Sequence, residues 1–160
     1  MKKKFYIIPG WRETCRRRQY QDLGKAVNKK GHEPIFVKVD WNNKISEQIF
    51  TIEKDSIIFG FSLGALLARL VVQKYECELV IFASMTPLRH FKGGEQEKML
   101  MDVVGNSFID DVKKNLKNKI KAKRKVLIYG DKEGETGDFI VKNTDHEISK
   151  NYIKKVLELM

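Results

Sequence analysis

Gly60-Phe61-Ser62-Leu63-Gly64 sets a serine between two glycines, after the apolar run Ser56-Ile57-Ile58-Phe59 and before a long apolar stretch from Ala65 to Val72. A serine hydroxyl becomes a nucleophile only when it is held clear of its backbone, beside a base, with hydrogen-bond donors waiting for the oxyanion. A sharp strand-to-helix turn does this by straining the serine and drawing together the residues two before and two after it, where only very small side chains fit. Gly60 and Gly64 meet that demand, and the Leu63 amide, at the start of the following helix, points to where negative charge would develop. The same residues could make only a turn with a serine N-cap. The strand-like run before them and the helix-like run after them favour the nucleophile.

A serine of this kind needs a base, and the chain has three histidines. His32 precedes the second expected strand, at the wrong end of a sheet. His90 follows the fourth strand and His146 follows the last, so both stand in loops on the correct side. Position alone leaves both open, and a lone histidine is also commonly a plain surface or core residue.

The hydrophobic pattern supplies the scaffold for these groups. Phe5-Tyr6-Ile7-Ile8 reads as a short buried strand opening at Pro9-Gly10-Trp11. Tyr20, Leu23 and Val27 have helical spacing, with Gly31 placed to end the helix. Pro34 to Val39 is a second strand, and Ser46 caps a short helix carrying Ile49 and Ile52. The third strand leads into the Ser62 turn, and the helix from Leu63 to Tyr75 is apolar nearly all round, as suits a central helix packed on a sheet. Glu78 to Ala83 is the fourth strand. The segment 88–106, broken by Gly93-Gly94 and carrying Met99, Leu100, Met101, Val103 and Val104, reads as a small cap-like insertion over the site. Ile109, Val112, Leu116 and Ile120 then place a lysine-rich helix before a fifth strand, Lys125 to Tyr129. Phe139 to Val141 is a short sixth strand, and Asn151 to Met160 a final helix. Strands alternating with helices predict an α/β fold: three layers, α/β/α, a doubly wound and mainly parallel sheet of about six strands, with the ligand site at the strands' carboxyl ends. No repeat or linker divides residues 1–160, so a single domain is expected.

Composition narrows the classes. At 160 residues and 42% hydrophobic content the chain is an ordinary globular domain. Met1-Lys2-Lys3-Lys4 resembles the head of a signal peptide, but the apolar run behind it stops at Pro9-Gly10, too soon for a secretory core. No stretch approaches the roughly 20 apolar residues of a membrane span. Cys15 and Cys77 make neither a disulfide framework nor a metal site. A cytoplasmic protein that engages no membrane is expected. The net charge of +10 could mark a nucleic-acid or acidic-partner surface. Much of it lies in Lys113, Lys114, Lys117, Lys119, Lys121, Lys123, Arg124 and Lys125, after Asp110 and Asp111. Acids first and bases last suit a helix dipole, and no aromatic residues interleave to stack on bases, so a solvated helix face is favoured over a nucleic-acid surface.

The order of these parts resembles the alpha/beta-hydrolase superfamily, in which serine, acid and histidine follow in that sequence along a fold of this kind. The resemblance spans essentially the whole chain. It implies that Ser62 is the nucleophile, that Gly130-Asp131-Lys132-Glu133 is the acid-bearing turn with Glu133 favoured by register and Asp131 as its competitor, and that His146 is the base. It also matches Pro9-Gly10-Trp11 to the family's histidine-glycine loop, making the Trp11 amide the second oxyanion donor beside Leu63. Glutamate replaces the commoner aspartate, proline replaces the loop histidine, the acid-to-histidine segment has no room for a helix, and the family's first strands are missing. The nearest likeness is to its small serine-hydrolase-like members. The resemblance implies hydrolysis of a carboxylic ester or thioester through an acyl-enzyme, without metal or organic cofactor. The positive charge would suit an acyl group carried on an acidic protein. A hydrolase-fold binding protein without activity is the alternative.

Overall fold

Alternation within the strands decides the layers. In β1 (Lys4–Ile8), Phe5 and Ile7 enter one apolar core while Tyr6 and Ile8 enter the other; in β3 (Ile57–Phe61), Phe59 follows the first pair and Ile58 the second. Successive side chains of a strand point to opposite faces, so each strand serves two cores. The computed structural model describes residues 1–160. Together with β2 (Glu33–Phe36), β4 (Cys77–Ala83), β5 (Ala122–Gly130) and β6 (Phe139–Val141), these strands form one sheet of order β2-β1-β3-β4-β5-β6, parallel at every pairing. Helices α1 (Arg18–Lys29) and α5 (Lys150–Leu159) cover one face with Tyr20, Leu23, Tyr152 and Val156. Helices α2 (Gly64–Lys74) and α4 (Asn106–Asn115) cover the other with Leu66, Leu70, Ile109 and Val112, joined at the edge by α3 (Gly94–Val104). This is the three-layer, doubly wound arrangement the sequence predicts.

The topology also places the site. From β1 the chain winds to β2 on one side and then returns to β3 on the other, so the order reverses between β1 and β3. Open parallel sheets bind ligands in the crevice at the carboxyl ends beside such a reversal. Trp11 follows β1 and Ser62 follows β3.

Several expectations need correction. The lysine-rich helix stops at Asn115 instead of running on toward β5. Side chains from α2 intercept it: Gln73 bonds both Asn115 O and Lys117 N (each 2.9 Å), and Arg69 takes Lys117 O at 2.9 Å. Lys121 N then joins Val72 O, and β5 begins three residues earlier than expected. Leu116 and Ile120 still pack against the core. The lysines are exposed, but they are shared among a helix end, a loop and a strand rather than lining one helix face. Ser46 caps no helix; it lies within a 3-10 turn, Ile45–Gln48, and its amide and hydroxyl both donate to Asp111, at 3.0 and 2.5 Å. In 88–106, a 3-10 turn (Leu88–Phe91) precedes α3, from which Met99 and Val103 stand 69% and 60% exposed. No helix is long and apolar enough to cross a membrane.

Candidate active site

The corner after β3 is built on absent side chains. A Cβ on Gly60 would lie 2.7 Å from Ala65 Cα, and one on Gly64 would fall inside the Pro9 carbonyl oxygen. The bare backbone thus lets α2 start directly against the end of β1. Ser62 between them has φ 56°, in the left-handed region that costs a side-chain-bearing residue energy. Its amide is tied to Ala83 O at 2.8 Å, which fixes the corner to β4. The side chain therefore projects above the sheet, partly exposed.

Two loops bring the partners. Ser62 Oγ lies 2.9 Å from His146 Nε2, and His146 Nδ1 lies 2.7 Å from Glu133 Oε1. A carboxylate only accepts, so Nδ1 carries the hydrogen and Nε2 is left to accept from the serine hydroxyl. The three groups form one line from a 7%-exposed carboxylate, through a half-exposed imidazole, to the serine. Glu133 is held from its other side by the Gly130 amide (2.6 Å) and the Ser84 hydroxyl (2.7 Å), both donating to Oε2. Ser84 in turn lies 3.1 Å from Tyr152 OH, which donates to Ile128 O. The Phe61 ring packs 5.0 Å from the imidazole.

Asp131 is turned elsewhere. Its two oxygens accept from the amides of Asn143 and Thr144, each at 3.0 Å, and these bonds hold its carboxyl below the usual aspartate range. It secures the loop that presents His146 without meeting the ring. His90 sits in the 3-10 turn after β4 with Nε2 buried and unpartnered, and burial lowers its pKa. His32 accepts from Lys3 N at the opposite end of the sheet.

The oxyanion candidates flank the serine. A Cβ on Gly10 would touch Ser62 Cβ at 3.4 Å, so the Pro9-Gly10-Trp11 loop runs directly beside Ser62. Tyr20 anchors that loop: its hydroxyl accepts from Gly10 N at 2.8 Å and donates to Glu13. The amides of Trp11 and Leu63 donate to no backbone acceptor in the loops and turns.

Sequence reasoning missed Ser84, Tyr152 and Phe61. Ser84 had a signal, since it stands immediately past a strand's carboxyl end, and its φ of 47° makes a second strained corner beside that of Ser62. Tyr152 lies within the final helix and carries no signal in the sequence that sets it apart.

No protein-family model matches the chain, and no curated protein matches it in sequence. Solved structures do. A mutant of tomato methylketone synthase I superposes with a TM-score of 0.68 at 10% identity, covering 99% of this chain and 98% of that one. Est1E from Butyrivibrio proteoclasticus gives 0.65 at 12% identity, covering 99% and 85%. Mouse alpha/beta hydrolase domain-containing protein 10 gives 0.65 at 12% identity, covering 98% and 87%. With its parallel sheet, its two helical layers and a strained serine at the corner after β3, this chain has the alpha/beta-hydrolase fold.

Proposed function

We propose that the protein is a serine hydrolase that cleaves a carboxylic ester or thioester through an acyl-enzyme on Ser62. The observation that carries this is the unbroken hydrogen-bonded line Ser62–His146–Glu133, with contacts of 2.9 and 2.7 Å, drawn from three separate segments. Nothing in the packing of a merely structural serine calls for a left-handed corner and an imidazole at once. In the reaction, Ser62 Oγ attacks the carbonyl carbon as its proton passes to His146 Nε2. Glu133 holds the imidazole in the right tautomer and stabilises its charged form. The amides of Leu63 and Trp11 receive the oxyanion. The tetrahedral intermediate collapses, His146 protonates the departing alcohol or thiol, and the acyl group stays on Ser62. Water then attacks the acyl-enzyme with His146 as base, releasing the acid and restoring the serine.

Among the fold's neighbours, Est1E and a polyneuridine aldehyde esterase are consistent with ester cleavage, whereas the methylketone synthase warns that the fold alone does not fix the reaction. The free, buried thiols of Cys15 and Cys77 support a reducing, cytoplasmic setting. The net charge of +10 supports an acyl group delivered on an acidic carrier. The competing reading is a binding protein that kept the fold without turnover. A panel of acyl esters of graded chain length, given to wild type and to Ser62→Ala, separates the two. Turnover by wild type alone is expected; no turnover of any ester by folded wild type would favour the binding protein.

A further inference from the structure

We infer that Glu13, acting with Tyr20 and Gln19, is a positioning residue: it fixes the direction of the Trp11 N–H and ties the oxyanion loop to the loop that carries His146. The inference rests on the acyl-transfer reading of Ser62 and adds to it the device that sets the oxyanion donor.

The Trp11 N–H belongs to the same peptide unit as the Gly10 carbonyl. That unit is trans, so its N–H and C=O point in opposite directions. Gly10 O accepts from Glu13 N at 3.0 Å and closes a turn over 10–13. The carbonyl is thereby aimed across the turn, and the Trp11 N–H is aimed out of it. Whatever holds Glu13 in place therefore holds the direction of this donor.

The turn needs outside support. Arg12 within it has φ 55°, a costly conformation that persists only where the surroundings impose it. The Glu13 side chain, 16% exposed, supplies the restraint. Its Oε2 accepts from the Tyr20 hydroxyl and, at 3.5 Å, from Gln19 Nε2; its Oε1 accepts from Arg17 Nη1 at 2.7 Å. Arg17 offsets the charge, which lets a carboxylate lie beside a loop that must receive an anion. Tyr20 is wholly buried; burial first, and then the bond to Glu13, raise its pKa, so the phenol stays protonated. It donates to Glu13 and accepts from Gly10 N at 2.8 Å. Gly10 is thus bonded at both ends, through its N–H to Tyr20 and through its C=O to Glu13.

The same residues reach the base. Gln19 Oε1 accepts from Ile148 N at 3.0 Å, two residues past His146, although 129 positions separate them in the chain. The Tyr20 ring packs edge-to-face on Phe61 with centroids 6.3 Å apart, and Phe61 lies 5.0 Å from the imidazole. Gln19 and Tyr20 are consecutive residues of the first turn of α1, so a single helical turn grips both loops.

Glu13→Ala, Glu13→Gln and Tyr20→Phe are compared with wild type on a short acyl ester and on a trifluoromethyl ketone. In the ketone adduct Ser62 Oγ bonds the carbonyl carbon, its proton passes to His146, and the former carbonyl oxygen becomes an oxyanion. Only the transition state and this adduct use the oxyanion donors. Glu13→Ala and Tyr20→Phe should therefore lower kcat and weaken ketone binding roughly tenfold or more, while KM stays within about twofold. A purely structural loss would reduce the amount of active protein and so lower kcat, but would move neither the ketone's inhibition constant nor KM. Glu13→Gln keeps an oxygen for the Tyr20 hydroxyl and should recover most of the ketone affinity. Tyr20→Phe keeps the ring and its packing, so it gives the reading if Glu13→Ala fails to fold. Amide hydrogen exchange on the free proteins tests the link between the loops: Glu13→Ala or Tyr20→Phe should speed exchange both at 10–13 and at 144–149. Ketone affinity unchanged in both variants, Glu13→Gln as impaired as Glu13→Ala, or exchange that rises at 10–13 alone, would overturn the inference. The exchange measurement needs no turnover, so it decides the link even if wild type neither turns over the ester nor binds the ketone, a result that would sink the Ser62 reading instead.

Discussion

Glu133 accepts from three directions, the Gly130 amide, Ser84 and His146, and that leaves its carboxylate a single orientation. Glu133→Gln keeps the shape but offers an amide where Nδ1–H needs an acceptor, so the imidazole is pushed to the wrong tautomer. We expect kcat on a short acyl ester to fall roughly 100- to 10,000-fold, by analogy with the loss of an orienting carboxylate in a serine triad. His146→Ala should abolish turnover while His90→Ala retains it; the reverse would reassign the base. Asp131 has a different task. Its carboxyl is held below the ordinary value of 3.8 by the Thr144 and Asn143 amides, so its contribution to stability is fully present above that value and is lost as pH falls through the depressed one. Asp131→Asn should therefore lower Tm at neutral pH, with the gap to wild type closing on acidification. Thermal melts across pH read this directly, and a gap that does not narrow in acid would contradict it. Ser62 was legible from its own five-residue setting, and His146 and the acid-bearing turn from the resemblance to the hydrolase order of serine, acid and histidine. Ser84 and Tyr152 were not, because they reach Glu133 and each other across 49 and 68 residues, through contacts that no local pattern carries.

At the level of elements, two corners position the chemistry. Gly64→Ala puts a methyl group against the Pro9 carbonyl, backbone on backbone, where neither side can yield easily. The cost should be about 1–3 kcal/mol or more, as for overpacked cores, seen as a lowered denaturant midpoint. The second corner is the start of α5. Ser149 accepts from Tyr152 N at 3.1 Å and lies 2.6 Å from Thr144 Oγ1, two residues before His146. Ser149→Ala should cost about 1 kcal/mol, the usual loss of a helix cap, and should also lower kcat because the histidine loop loses an anchor. An unchanged kcat would show that Asp131 and Gln19 hold the loop without it. The elbow was readable because glycine at two fixed positions answers a steric demand within five residues. The end of α4 was not: Leu116 and Ile120 continue a helical period, yet Gln73 and Arg69 of α2 claim the backbone groups that another turn would need. Tertiary contacts overrode a local pattern there, as they commonly do.

For the whole molecule, a parallel sheet whose central strands β1, β3 and β4 are covered on both faces makes the fold easy to read, because each of those strands is a nearly continuous apolar run. The winding reversal between β1 and β3 then brings the Trp11 loop beside Ser62, where the likeness of Pro9-Gly10-Trp11 to the family's histidine-glycine loop led us to expect it. Charge also acts at this scale. With a net charge of +10, turnover of an acyl group on an acidic carrier should fall as salt rises, while turnover of the free ester should hold nearly constant. Equal salt dependence would remove the carrier from the proposal. The central claim is that folding assembles residues 62, 133 and 146 into one reacting unit. Labelling with a fluorophosphonate, followed by intact mass and peptide mapping, tests it most directly. One adduct on Ser62 of the native protein is expected, absent in Ser62→Ala and after unfolding in denaturant. Native protein that takes no label, or Ser62→Ala that labels as wild type does, would contradict it.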